Sequence, residues 1–173
     1  MQLVDIISFL DRYIHELVRV GMLDIFLGKR PPTRQFNTFN ISSKSLLELS
    51  KYDVKVPLEE IEIYKILNDE IVVKNGFLAF QHPNKISDAL SYVWPTTHKW
   101  QLIAQQMGGG YTSDKVTDQL ILLVERRNKI VHEGDMDGVN KCKIDIEKSY
   151  VDDSIAFVKK MVDALNYLVP NNI

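Results

Sequence analysis

A chain of 173 residues, 45% hydrophobic and 25% charged, has the balance of one folded domain and excludes a disordered tract. Lys and Arg number 21 against 23 Asp and Glu; the net charge of −2 excludes a protein that coats nucleic acid by bulk electrostatics, so any polyanion site has to be local. The single cysteine, Cys142, excludes an intramolecular disulfide and fits a reduced, cytoplasmic setting; the longest strictly apolar run, Leu120 to Val124, is far short of the ~20 residues a bilayer needs. The opening MQLVDIISFLDRY has acids inside its apolar stretch and no basic segment ahead of it, which excludes a signal peptide.

The first segment places Leu3, Ile7, Leu10, Ile14, Leu17 and Gly21 three and four residues apart, with Ile6, Tyr13 and Val20 widening the stripe, and this predicts a helix to about Leu27. Gly28 suits the position after a helix end, and Pro31-Pro32 forbid continuation. The apolar pattern begins within two residues of Met1 with no capping residue ahead of it. The expectation is a first helix truncated at its N-terminus, in a short form of a longer chain or one in which Met1 is not the native start.

Residues 29–41 read as a loop carrying Lys29, Arg30 and Arg34. Ser42 or Ser43 caps a short helix through Leu46, Leu47 and Leu49, and Pro57 opens a longer one that ends near Asn75-Gly76. Within the latter, Ile71-Val72-Val73 is β-branched and equally compatible with a strand. Ile86, Ala89, Leu90 and Val93 predict a three-turn helix stopped by Pro95; Trp100, Ile103, Ala104 and Met107 predict another, stopped by Gly108-Gly109-Gly110. Ser113 caps the next helix, which starts at Asp114 and continues through Val116, Leu120, Leu123 and Val124. After a loop rich in Gly, Asp and Asn, Ser149 and Asp152 have capping-box spacing. The last helix then follows Val151, Ile155, Val158, Val162, Leu165 and Val169 to Pro170. With no internal repeat, the pattern predicts one all-α domain over residues 1–173, a bundle of about five to seven helices.

Most candidate sites dissolve on inspection. Residues 133–138, EGDMDG, begin like a calcium loop, but its twelfth position is Ile144 where a bidentate Glu is required, so the stretch reads as a solvated turn. The three glycines at 108–110 lack a following Lys-Ser/Thr and sit at a helix C-terminus, where the dipole repels phosphate. His15, His82 and His98 have no Cys or His partner at zinc-ligand spacing; His15 reads as structural or surface, and neither metal nor other cofactor is expected. Cys142, between Lys141 and Lys143, lacks a neighbour that would make it a nucleophile.

The stretch Glu125 to His132 is different. One turn beyond Val116, Leu120, Leu123 and Val124, the next core position is occupied by Arg127, with Val131 after it. A guanidinium cannot be neutralised, so Arg127 must meet a buried acid, a partner subunit or an anionic ligand. Asn128 and His132 lie roughly 40° apart around a helix, whereas Arg127 and His132 are roughly 140° apart and converge only if the helix ends or distorts near Gly134. On charge and spacing alone, an intrabundle salt bridge for Arg127 and a helix-terminal role for His132 account for the segment slightly better than a functional site does.

Arg127-Asn128-Lys129-Ile130-Val131-His132 resembles the Arg-x4–6-His motif of the HEPN superfamily, including the polar residue directly after the Arg. Further stretches agree in order: Tyr13-Ile14-His15-Glu16-Leu17-Val18-Arg19, Gly28-Lys29-Arg30-Pro31-Pro32-Thr33, and Arg126 through Glu133 to Asp135-Met136-Asp137. Together they resemble, over nearly the whole chain, stand-alone bacterial domains of the RiboL-PSP-HEPN type, whose first helix is usually longer. The resemblance implies a helical bundle that forms a homodimer, with the motifs of two protomers lining one cleft that in active members cuts RNA without a metal. In some superfamily toxins a Tyr two residues after the His is nucleotidylated by an antitoxin; Gly134 stands there, which weighs against that kind of partner.

The implied function is a metal-independent endoribonuclease serving as a toxin or defence effector. Its implied partners are RNA, a second copy and a protein antitoxin or regulator, with no membrane. Arg127 would stabilise the transition state, His132 would transfer protons and Asn128 would assist. Arg126, Lys129 and the Lys29-Arg30-Arg34 loop would hold the RNA backbone. Two other expectations stay open: a non-catalytic module that binds RNA or a nucleotide, and a structural dimerisation domain of a larger defence protein, in which Arg127 pairs with a buried acid.

Overall fold

The computed structural model describes residues 2–53, 56–136 and 145–171. Cys142 and Ile144, and with them the second half of the calcium-loop comparison, lie outside the described residues. Among the described residues there is no strand. The described residues form seven α-helices, in order α1 (Gln2–Phe26), α2 (Ser43–Leu49), α3 (Pro57–Asn75), α4 (Pro83–Leu90), α5 (Lys99–Met107), α6 (Ser113–Glu133) and α7 (Lys148–Asn171). A 3-10 turn, Phe36–Thr38, interrupts the loop after α1. The all-α expectation is met, and Ile71-Val72-Val73 are helical because α3 packs Ile63, Leu67 and Ile71 at spacings of four against α1.

α1 is the axis of the bundle and packs against α3, α4, α6 and α7. It buries Ile7, Leu10, Ile14, Val18 and Met22, so the buried stripe steps to Val18 where the periodicity predicted Leu17. Neighbours on several sides set that drift, and α1 is held by its packed faces more than by helix propensity. α5 packs on α6 and α7, α4 on α6, and α2 on α3.

Several predicted boundaries move. Ser42 caps α2 by accepting the Ser45 N–H, at 3.1 Å. Thr112, rather than Ser113, caps α6 through the Lys115 N–H. Ser149 lies inside α7 with its hydroxyl turned to Glu147, so it caps nothing. α4 ends at Leu90, and Val93 and Trp94 are buried in the turn that follows, where Val93 seats against Gly21 of α1. The buried face of α7 runs through Ser154, Phe157, Met161 and Ala164 as well as Val158 and Leu165, while Ile155 is exposed. α7 continues to Asn171, within the one or two residues by which a helix end is defined.

Candidate active site

α6 carries the candidate motif on a face that changes character along its length. Val116, Leu120, Leu123 and Val124 are buried, and Arg127 follows one turn on, half-buried. Its Nε is sealed from solvent without a hydrogen-bond partner, and its Nη1 donates to Asn128 Oδ1 at 3.0 Å. Among the described residues Arg127 forms no ion pair with a carboxylate. The buried acid that the salt-bridge alternative required does exist, but its partner is the neighbouring arginine. Arg126 Nη2 donates to Asp135 Oδ2 at 2.9 Å, and Asp135 is only 2% exposed.

The end of α6 explains how Asp135 reaches back. Gly134 and Asp135 both adopt left-handed backbone, with φ of 64° and 60°. Their N–H groups close on the Lys129 carbonyl in a wide terminal turn. His132 lies within the span of that turn and, like Arg127, among the helical residues of α6. On a regular helix the two stand roughly 140° apart, and His132 is not among the residues that line the groove beside Arg127. Lys129, Val131 and His132 are exposed.

Arg127 and Asn128 open onto a groove of ≈ 730 Å³ between α6, α4 and the segment before α4. The groove also gathers His82, Lys85 and Asp88, with Gln35 reaching in from the loop after α1; His132 is not in its wall. Phe77, 91% exposed, stands at its rim. His82 caps α4, its Nδ1 accepting the Asn84 N–H at 3.3 Å, which leaves Nε2 for the groove's contents. Sequence reasoning set His82 aside and did not single out Lys85. The one local signal is a polar residue directly ahead of Pro83 at a helix start, and nothing local says that this start faces α6.

A family model described as RiboL-PSP-HEPN matches residues 2–171. The chain belongs to the RiboL-PSP-HEPN family. No curated protein and no solved structure matches it. Membership of this HEPN family points to a nuclease-like or RNA-related module. Among the described residues no three His, Cys, Asp or Glu side chains gather as a metal site would require, and no helix is long and apolar enough to cross a membrane.

The other stretches that carry the HEPN resemblance serve as polar ties between helices. Tyr13 donates to Asn166 Oδ1 at 2.8 Å, linking α1 to α7, and burial pushes its phenol well above the ordinary tyrosine value. His15 Nε2 lies 3.1 Å from the Leu78 carbonyl, with its ring against Phe80, so its structural role holds. Arg19 bonds Asn68 and Tyr64 of α3, and the carboxylate of Glu16. Arg30 donates to the Val93 and Val169 carbonyls, and Lys29 pairs with Glu60. Within the Lys29-Arg30-Arg34 loop, Arg30 faces inward to tie the turn after α4 to α7, and Lys29 pairs with Glu60 of α3 at the surface. Arg34 remains exposed.

Proposed function

We propose that this protein is a metal-independent endoribonuclease of the HEPN type, a toxin or defence effector whose active site forms between two copies of the chain. The observation that carries the proposal is Arg127. It occupies a position continuous with a buried stripe, yet it faces an open groove with Asn128 at its fork and no carboxylate paired to it. A permanently charged, planar donor so placed suits a phosphodiester and its more highly charged phosphorane. Attack by the neighbouring 2′-OH forms the new P–O bond, breaks the bond to the 5′-oxygen, and moves one proton off the attacking oxygen and one onto the leaving oxygen. Two proton positions call for two groups, and His132 of each protomer supplies them when a two-fold axis sets the motifs face to face. Exposed Val131 and Met136 beside His132 offer apolar area for that contact. Lys129 extends the cationic surface for RNA, and Arg126 holds the end of α6 through Asp135. The activity needs a regulator, and a protein antitoxin fits that role.

The test is RNA cleavage by EDTA-treated protein. The parent releases fragments with 2′,3′-cyclic phosphate ends, and Arg127→Ala and His132→Ala each lose about 100-fold or more in rate. If both variants cut like the parent, the catalytic assignment is wrong. The absence of His132 from the wall of the Arg127 groove favours a second reading, a module that binds RNA or a nucleotide without reacting. It predicts saturable, salt-sensitive binding with no turnover.

A further inference from the structure

A second cleft, of ≈ 610 Å³, opens between the Thr33–Thr38 loop and the Trp94–Lys99 segment. Gln35 and Ser91 border both this cleft and the Arg127 groove, so one short stretch of loop divides neighbouring compartments. Thr33 anchors that divider: its Oγ lies 2.8 Å from the Ser91 carbonyl and accepts the Phe36 N–H. The lining includes two cations, Arg34 and Lys99, and no carboxylate. The cleft between α2 and α3, by contrast, has mixed charge: Glu48, Glu62, Asp69 and Glu70 line it beside Lys44, Lys51 and Lys65.

Lys99 is 6% exposed, and its Nζ donates to Ser91 Oγ at 3.0 Å and the Thr96 carbonyl at 2.7 Å. An ammonium has three protons to donate, so one is left over, and no carboxylate among the described residues lies within ion-pair distance. Burial holds this lysine below its ordinary pKa; Asp88, acting through space, pulls the other way. Trp94, also in the wall of the cleft, is fully buried with its indole N–H unpartnered. Lys99 with its spare donor, Trp94 with an unpartnered indole N–H buried in the wall, and the exposed Arg34 thus line one acid-free cleft. That donor set matches an anion with several oxygens.

We propose that this cleft holds a second phosphate of the RNA strand whose scissile phosphate sits at Arg127, the strand crossing the border at Gln35 and Ser91. The proposal rests on the ribonuclease reading and adds to it the path of the substrate away from the cut. Arg34 and Lys99 act there as binding residues: they set affinity and register and move no proton.

The experiment measures binding of a short single-stranded RNA to the non-cleaving His132→Ala protein across a salt series. Adding Arg34→Ala lowers the slope of log K against log salt by about 0.7, the loss of one phosphate contact on a single strand. Lys65→Ala, in the mixed-charge cleft between α2 and α3, leaves the slope unchanged. The Trp94 indole N–H resonance moves on adding RNA, a readout that holds even if Lys99→Met fails to fold. An unchanged slope in Arg34→Ala, with the parent still binding RNA, overturns the second phosphate and leaves the ribonuclease reading intact. RNA that binds no form of the protein overturns both. A Trp94 resonance that responds to inorganic phosphate but not to RNA makes the cleft a free-anion site and overturns the substrate path.

Discussion

Adjacent arginines on α6 have opposite environments, and the difference predicts opposite phenotypes. Arg126 neutralises the buried carboxylate of Asp135, whereas Arg127 has an unpartnered Nε and an open groove. Arg126→Ala strands the Asp135 charge and costs about 3 kcal/mol, the lower end for breaking a buried pair because Arg126 is partly open to solvent. Arg127→Ala removes no ion pair and shifts stability by less than about 1 kcal/mol while abolishing RNA cleavage. Urea unfolding of the two variants beside the cleavage assay separates them; equal stability for both would sink the Asp135 assignment. The anomaly at Arg127 was visible in the sequence as a charge in phase with a buried stripe. The fate of Arg126 was not, because its partner lies nine residues on and returns only through two left-handed residues after the helix end.

At the scale of elements, α1 packs tightly at Gly21 against the turn after α4. A Cβ on Gly21 would stand 2.7 Å from Val93 Cγ1 and 2.9 Å from Val93 Cβ, and Val93 is itself buried. Alanine in mid-helix gains about 1 kcal/mol in propensity over glycine, but overpacking at such distances costs about 1–3 kcal/mol. Gly21→Ala is therefore expected to lower Tm, and adding Val93→Ala to recover much of the loss. A rise in Tm for the single variant would show that α1 and the turn part without cost. The apolar period placed Gly21 on the core face; that its neighbour is the Val93 turn depends on how α4 docks.

At the scale of the molecule, the proposed active site is shared by two chains, because Arg127 and His132 stand on different sides of one helix. Excess His132→Ala protein mixed with the parent is expected to suppress cleavage beyond simple dilution, because mixed dimers carry one histidine where two are needed. A site complete within one protomer leaves the parent rate untouched, and sedimentation of the same mixtures reports whether dimers form. The same distance effect runs through the family resemblance. Tyr13, Arg19, Arg30 and Thr33 stand in the stretches that carry it, yet each ties together segments far apart in the chain.

By itself the sequence determined the helical class, the approximate span of each helix and the position on α6, Arg127, where a guanidinium continues a buried stripe. These are local properties, because a period of 3.6 residues and a capping side chain act over a turn or two. Only the tertiary structure decided which cations are ties and which face open clefts. Arg30 was sorted from Arg34, Arg126 from Arg127, and His82 joined the groove while His132 stayed outside its wall. A charge is placed by whatever chain packs beside it, and along this chain that neighbour is as much as 139 residues away, as with Arg30 and Val169.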